Sequence, residues 1–245
     1  MIVMSIAGVD PSAGAGVFAD LKTFQALGVY GTGVVTALTA QNPNKVFSIE
    51  PIEASYIKEQ IDAVLDSYNV EYIKTGMLYS SEVVDVVYNA IKDYNLKCVV
   101  DPVMVATSGS ELYKDELIDS LKKLLKIAIF TTPNKSEAVK LTGIEIINKD
   151  SAIEASLKLS KYCDNIITGG HLKGNNIINI SDEITLKKQE LLKTNNLHGS
   201  GCNFSAAITS YLAKGETLKD ATLKAIDYTY LAIKNGNYGT LIPKI

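Results

Sequence analysis

Short, unbroken apolar runs alternate along this chain with longer amphipathic ones. Residues 2–7, 33–40, 72–75, 97–100, 127–131 and 165–168 read as strands apolar on both faces. Between them, 17–27, 54–67, 81–94, 114–125, 135–141 and 152–161 carry apolar residues at helical spacing. Val17, Leu21 and Phe24 in one such run, and Ile57, Ile61 and Val64 in the next, each mark one face. A strand apolar on both faces must be covered on both, and strands joined through helices run parallel. The expectation is therefore an α/β fold, a central mostly parallel sheet between two helical layers. Residues 175–193 read as a β-rich excursion, and 201–213 and 218–235 as two final helices. With no repeat, linker or low-complexity tract, residues 1–245 are expected to form one domain.

Composition narrows the partners. Hydrophobic residues make up 47% of the chain, enough for a sizeable core, and the net charge of -3 is spread without a basic stripe. Nucleic acid and anionic membrane surfaces are thereby disfavoured, and a small-molecule substrate is expected. The start, MIVMSIAGVD, has no charged n-region, and no apolar stretch reaches spanning length. Cys98, Cys163 and Cys202 are too few and too scattered for a disulfide framework or a zinc site, which fits a reducing, cytoplasmic setting. Cys98 and Cys163 read as structural. Every cationic side chain is lysine, for arginine is absent. A bound phosphate must then rely on backbone N–H groups, lysine, hydroxyls and a metal rather than a guanidinium fork.

In open α/β sheets ligands sit beyond the carboxyl ends of the strands. The glycine-rich segment 8–16, Gln41, Gly76-Met77 and Asp101 all fall at such ends. Asn196-Leu-His198-Gly199-Ser200-Gly201-Cys202 runs directly into an apolar helix. Its glycines let backbone approach a ligand, and the unpaired N–H groups of the helix start attract anions. Alternatively, the loop is an ordinary turn with Ser200 as cap. Cys202 at the helix start is expected to have a lowered thiol pKa and to suit a general base, or to be a small buried hydrophobe. His198 and Cys202 could also form the nucleophilic pair of a hydrolase. Gly14-Ala-Gly16-Val-Phe-Ala19 fits a dinucleotide fingerprint, but the following strand ends Thr39-Ala-Gln41-Asn42 without the ribose-binding carboxylate, which argues against NAD.

Together, Ala7-Gly-Val-Asp10-Pro-Ser-Ala-Gly14-Ala-Gly16, Ala19-Asp20-Leu-Lys22-Thr23, Thr36-Ala-Leu-Thr-Ala-Gln41-Asn42, Lys74-Thr-Gly76-Met77-Leu78, Val100-Asp101-Pro-Val-Met104, Thr132-Pro-Asn134-Lys-Ser-Glu137, Gly169-Gly-His171 and His198-Gly-Ser-Gly-Cys202 resemble, in order, the hydroxymethylpyrimidine/phosphomethylpyrimidine kinases. The resemblance spans residues 2 to about 212. It implies a ribokinase-like α/β/α sandwich, a homodimer, and ATP with Mg2+. The implied reaction phosphorylates 4-amino-5-hydroxymethyl-2-methylpyrimidine and then its monophosphate, giving the diphosphate used for thiamine. Pyridoxal kinase is the near relative and the alternative substrate class. A catalytically impaired pyrimidine-binding protein is the other.

Carried over position by position, Gln41 matches the glutamine that reads the aminopyrimidine edge, an acceptor beside two donors. Gly8, Ala15, Met77 and Val103 match the pyrimidine pocket. Asp101, Asn134, Glu137 and Thr168 match the ATP site, with Asp101 and Glu137 holding magnesium through water. Asn134 and Glu137 also have the spacing of a capping box. Gly199, Ser200 and Gly201 match the anion loop and Cys202 the base. Asp10 and Asp20 belong to the signature without a catalytic role, and His171 reads as structural. The chain departs from the pattern at Thr168, where the family carries lysine, at Leu197 and Ser200, across the shorter segment 172–193, and at the C-terminal Gly236-Asn-Tyr-Gly239-Thr. Lys173 is a candidate to supply the missing charge.

Overall fold

The computed structural model describes residues 1–104 and 117–244. In chain order the elements are β1 (Ile2–Val9), α1 (Gly16–Ala26), β2 (Tyr30–Asn42), β3 (Lys45–Pro51), α2 (Ala54–Ser67), β4 (Tyr72–Thr75), α3 (Ser81–Tyr94), β5 (Lys97–Val100) and α4 (Leu117–Leu125). There follow β6 (Phe130–Thr131), α5 (Lys135–Thr142), α6 (Lys149–Leu159), β7 (Asn165–Ile167), β8 (Asn175–Ile180), β9 (Glu183–Lys188), α7 (Ser200–Ala213) and α8 (Leu218–Lys234). The strands form one sheet of order β3-β2-β1-β4-β5-β6-β7-β8-β9. From β2 to β7 neighbouring strands are parallel, and the outer pairs β2–β3, β7–β8 and β8–β9 are antiparallel.

The double apolar character of the strands has a direct structural cause. Successive side chains point to opposite faces. Met4, Ile6, Cys98 and Val100 join the core under α2–α6, whereas Val3, Val99 and Ile166 pack toward α1, α7 and α8. The expected sheet between two helical layers is thus built by this alternation. Cys98 is buried in it as a small hydrophobe.

Several details differ from the sequence-based expectation. The second strand is longer than 33–40 and bends back into β3, whose pairing depends on β2 rather than on its own mixed sequence. Gln41 therefore lies within a hairpin, beside an irregularity in the β2–β3 register, rather than after a strand. The strand expected at 127–131 is reduced to β6, because Ile127 and Ala128 close the end of α4 through bonds to Leu124 and Leu125 carbonyls. The excursion at 175–193 is the β8–β9 hairpin. The start of the helix expected from residue 114 lies outside the described residues.

Candidate active site

Six parallel strands end on the same side of the sheet as the start of α7, and a cavity of about 670 Å³ opens there. Gly8, Ala15, Gln41, Met77 and Val103 border one part of it. Asp101, Asn134, Glu137, Thr168 and the Gly199–Cys202 loop border the rest. Residues from seven separate stretches of sequence thus share one wall.

Glycine makes the close approaches possible. Gly16 adopts φ +62 and its backbone packs on the Gly8 carbonyl. Gly199, at φ +82, caps α7 and lies so close to Gly14 that a Cβ would stand 1.7 Å from the Gly14 oxygen. The start of α7 is therefore pressed against the loop after β1, with its first N–H groups at the cavity. No Ser200 side-chain cap closes them off.

His198 is buried and its Nε2 lies 2.7 Å from Asp10 Oδ2, whose oxygens also accept from Ser12 and from the Ala15 N–H. These residues hold the loops rather than attack a substrate. The hydrolase pairing of His198 with Cys202 loses its support, because that ring nitrogen is committed to Asp10. His171 sits in a short 3₁₀ turn, Gly169–His171, at the cavity rim.

Cys202 departs from expectation in its acidity. The helix start was expected to lower the thiol pKa, yet burial pushes it up to about 12, against the opposing pull of Lys74 and an N–H from Gly16. Desolvation of a thiolate outweighs the dipole of one helix.

The carboxylates are raised as well. Burial lifts Asp101 to about 6, with Lys74 and Ser205 resisting. Glu137 rises to about 8, through burial and then repulsion from Asp101. Asn134 and Glu137 do form the capping box: Asn134 Oδ1 accepts from the Glu137 N–H at 3.0 Å, and Glu137 Oε2 accepts from the Asn134 N–H at 2.8 Å. Cap and cavity wall are the same residues. Among the described residues, no cluster of three or more His, Cys, Asp or Glu is arranged to hold a metal unaided.

Three features escape the sequence. No lysine borders the cavity among its described lining residues, Lys173 included. Instead Lys74 lies fully buried behind it, its Nζ 2.9 Å from Asp20 Oδ2 and 4.0 Å from Asp101 Oδ2. Burial opposes its charge, but the carboxylates prevail and hold it above its ordinary value. A lysine inside an apolar strand was the available signal. The far end of the cavity is walled by Gln189–Leu192 and by Ile226, Tyr230 and Ile233 of α8. Only the helical spacing of the last three hinted at a shared face.

A family described as phosphomethylpyrimidine kinase matches residues 10–241. The hydroxymethylpyrimidine/phosphomethylpyrimidine kinase of Rhizobium meliloti (strain 1021) is 39% identical, covering 95% of this chain and 90% of the relative. The crystal structure of phosphomethylpyrimidine kinase from Clostridium difficile 630 superposes with a TM-score of 0.84 at 38% identity, covering 95% of this chain and 99% of that one. An ADP complex of Bacillus subtilis pyridoxal kinase gives a TM-score of 0.90 at 34% identity, covering 99% and 96%. No helix among the described residues is long and apolar enough to cross a membrane.

Proposed function

The chain belongs to the phosphomethylpyrimidine kinase family, and from that premise we propose that it phosphorylates 4-amino-5-hydroxymethyl-2-methylpyrimidine and then its monophosphate with ATP. The observation that carries this reading is the contact between the Gly8–Gly16 loop and the start of α7. It brings a pocket for a flat ring and a cradle for an anion into one cavity.

In this reading the pyrimidine lies against Gly8, Ala15, Met77 and Val103, with its amino edge on Gln41. ATP extends toward α8, along Thr168 and Asn134. The hydroxymethyl oxygen attacks the γ-phosphorus, the bond to ADP breaks, and the Gly199–Cys202 amides meet the charge on the transferring group. Phosphoryl transfer has a loose transition state, so the hydroxyl proton leaves late. Cys202 would accept that proton as its thiolate, the form that Lys74 favours against burial, and end the step as the thiol.

Two carboxylates bordering a cavity with no lysine among its described lining residues suit a hydrated magnesium ion, with Lys74 standing behind Asp101 rather than in the cavity. Asp101 and Glu137 would hold it through water, and when bound it offsets phosphate charge. With Thr168 in place of a lysine, that ion and the α7 amides carry the phosphate-binding load. The resemblance also leads us to propose a homodimer in the cytoplasm.

One observation favours pyridoxal as a second substrate: the backbone superposes with a TM-score of 0.90 on a pyridoxal kinase. Mass spectrometry of products formed with MgATP and the pyrimidine, its monophosphate or pyridoxal decides between them. Pyrimidine diphosphate is the expected product, whereas pyridoxal phosphate alone would overturn the substrate. Cys202→Ala is expected to lower kcat on the order of 10²-fold or more with little change in pyrimidine affinity. Parental turnover in that variant removes the base assignment.

A further inference from the structure

We propose that Lys74 is a positioning residue for the phosphoryl transfer, locking Asp101 against the first turn of α7 from behind the cavity wall. The proposal rests on the reading that Asp101 faces magnesium and the triphosphate. Lysine is almost never fully buried, yet Lys74 has no exposed surface. Nor does stability explain it, since apolar replacement of a buried ion pair is often neutral or stabilising.

The surroundings are built to keep the charge where it is. Lys74 Nζ reaches both oxygens of Asp20, at 2.9 and 3.1 Å, and Ser5 Oγ donates to Asp20 at 2.6 Å. Gly76 leaves the necessary room, for a Cβ there would stand 3.0 Å from Nζ and 2.9 Å from Ala7 Cβ. On its other side Nζ lies 4.0 Å from Asp101 Oδ2, and that oxygen lies 3.1 Å from Ser205 Oγ, whose one hydroxyl hydrogen it shares with the Gly201 and Cys202 carbonyls at 3.0 and 3.2 Å. That same oxygen lies 3.7 Å from where a Cβ on Gly201 would be. Lys74 and Ser205 thus converge on one carboxylate oxygen and tie β4, α1 and β5 to the anion loop. A displacement of about 1 Å at such a group is enough to lower a rate ~100-fold.

The test replaces the pair together, Asp20→Asn with Lys74→Met, because a single replacement strands a buried charge. The double variant is expected to remain folded, with Asp101 losing the Lys74 charge that favours its ionised form. Its kcat is expected to fall roughly 100-fold, with pyrimidine KM nearly unchanged. Calorimetry should show a smaller magnesium-dependent gain in ADP affinity, with metal-free ADP binding intact. Ser205→Ala should show the same split more mildly. Parental kcat and parental magnesium dependence in the double variant would overturn the proposal. So would a fall in kcat that tracks melting temperature while the magnesium dependence is unchanged. Asp101→Asn, measured in parallel, separates the two ideas. If it is parental, the reading of Asp101 fails and takes this route with it. If it is impaired beside a parental double variant, Lys74 alone is refuted.

Discussion

His198 Nε2 lies 2.7 Å from Asp10 Oδ2, joining two loops whose residues are 188 positions apart. Each loop supplies a different half of the proposed chemistry, the pyrimidine pocket and the anion cradle. The contact is reinforced on both sides. Thr240 Oγ1 donates to the His198 carbonyl at 3.1 Å, and Asn196 holds Gly236 and Gly239. The C-terminal segment that departs from the family pattern is thus a strap across the anion loop.

Asp10→Asn is expected to raise KM for both pyrimidine and ATP and to destabilise the fold by about 1.5–3 kcal/mol, the range for a bond to a charged group. Burial raises the Asp10 carboxyl, but His198 and Ser12 outweigh it and leave the pKa below 3.8. A depressed carboxylate stabilises above its unfolded pKa and loses that contribution as pH falls through the folded one. The share of the stability gap that comes from the ionised carboxylate should be lost as pH falls below about 4. Thermal denaturation through that range measures the gap, and one that fails to narrow below about pH 4 contradicts the ionised carboxylate.

Glu137 should do the opposite. Its carboxyl titrates near 8 in the fold against 4.5 unfolded. Between those values the native state holds more protons than the unfolded chain, so stability falls as pH rises. Asp101 adds to the decline between 3.8 and about 6. Urea denaturation of the metal-free protein should show this trend, and Glu137→Gln, which keeps the cap acceptor, should flatten it. An unchanged slope in the variant would locate the decline elsewhere.

Two glycines should separate strain from specificity. Gly199→Ala puts a Cβ 1.7 Å from a backbone oxygen at φ +82, and neither loop can yield. Beyond the ~1–2 kcal/mol of a left-handed residue, loss of both stability and turnover is expected. Gly8→Ala crowds the terminal methyl of Met77, at 2.6 Å, and makes ordinary contacts with the Ala37 carbonyl oxygen at 3.5 Å and the Met77 sulfur at 3.8 Å. Met77 can swing into the pocket, so pyrimidine KM should rise while the urea midpoint barely moves. Equal destabilisation in the two variants would show that Met77 is held more rigidly than its side chain suggests.

Much of this site was readable before any coordinates. Asp101 and Glu137 sit where strand ends and motif spacing put them, because strand–helix alternation sends every parallel strand's carboxyl end to one side, whereas Gln41 borders the cavity from within the β2–β3 hairpin. Lys74 and Asp20 were visible as letters, but their partnership was not, since it joins residues 54 positions apart through the interior.

The sequence by itself determined the α/β architecture, the glycine turns and the capping box of Asn134 and Glu137, all of which depend on neighbours within a few residues. Only the tertiary structure decided the pairing of β3, the bond from Asp10 to His198, the buried charge behind Asp101, and the protonation of Cys202. Each of these depends on which distant groups exclude water from one another, and desolvation is a property of the packed interior rather than of any local run of residues.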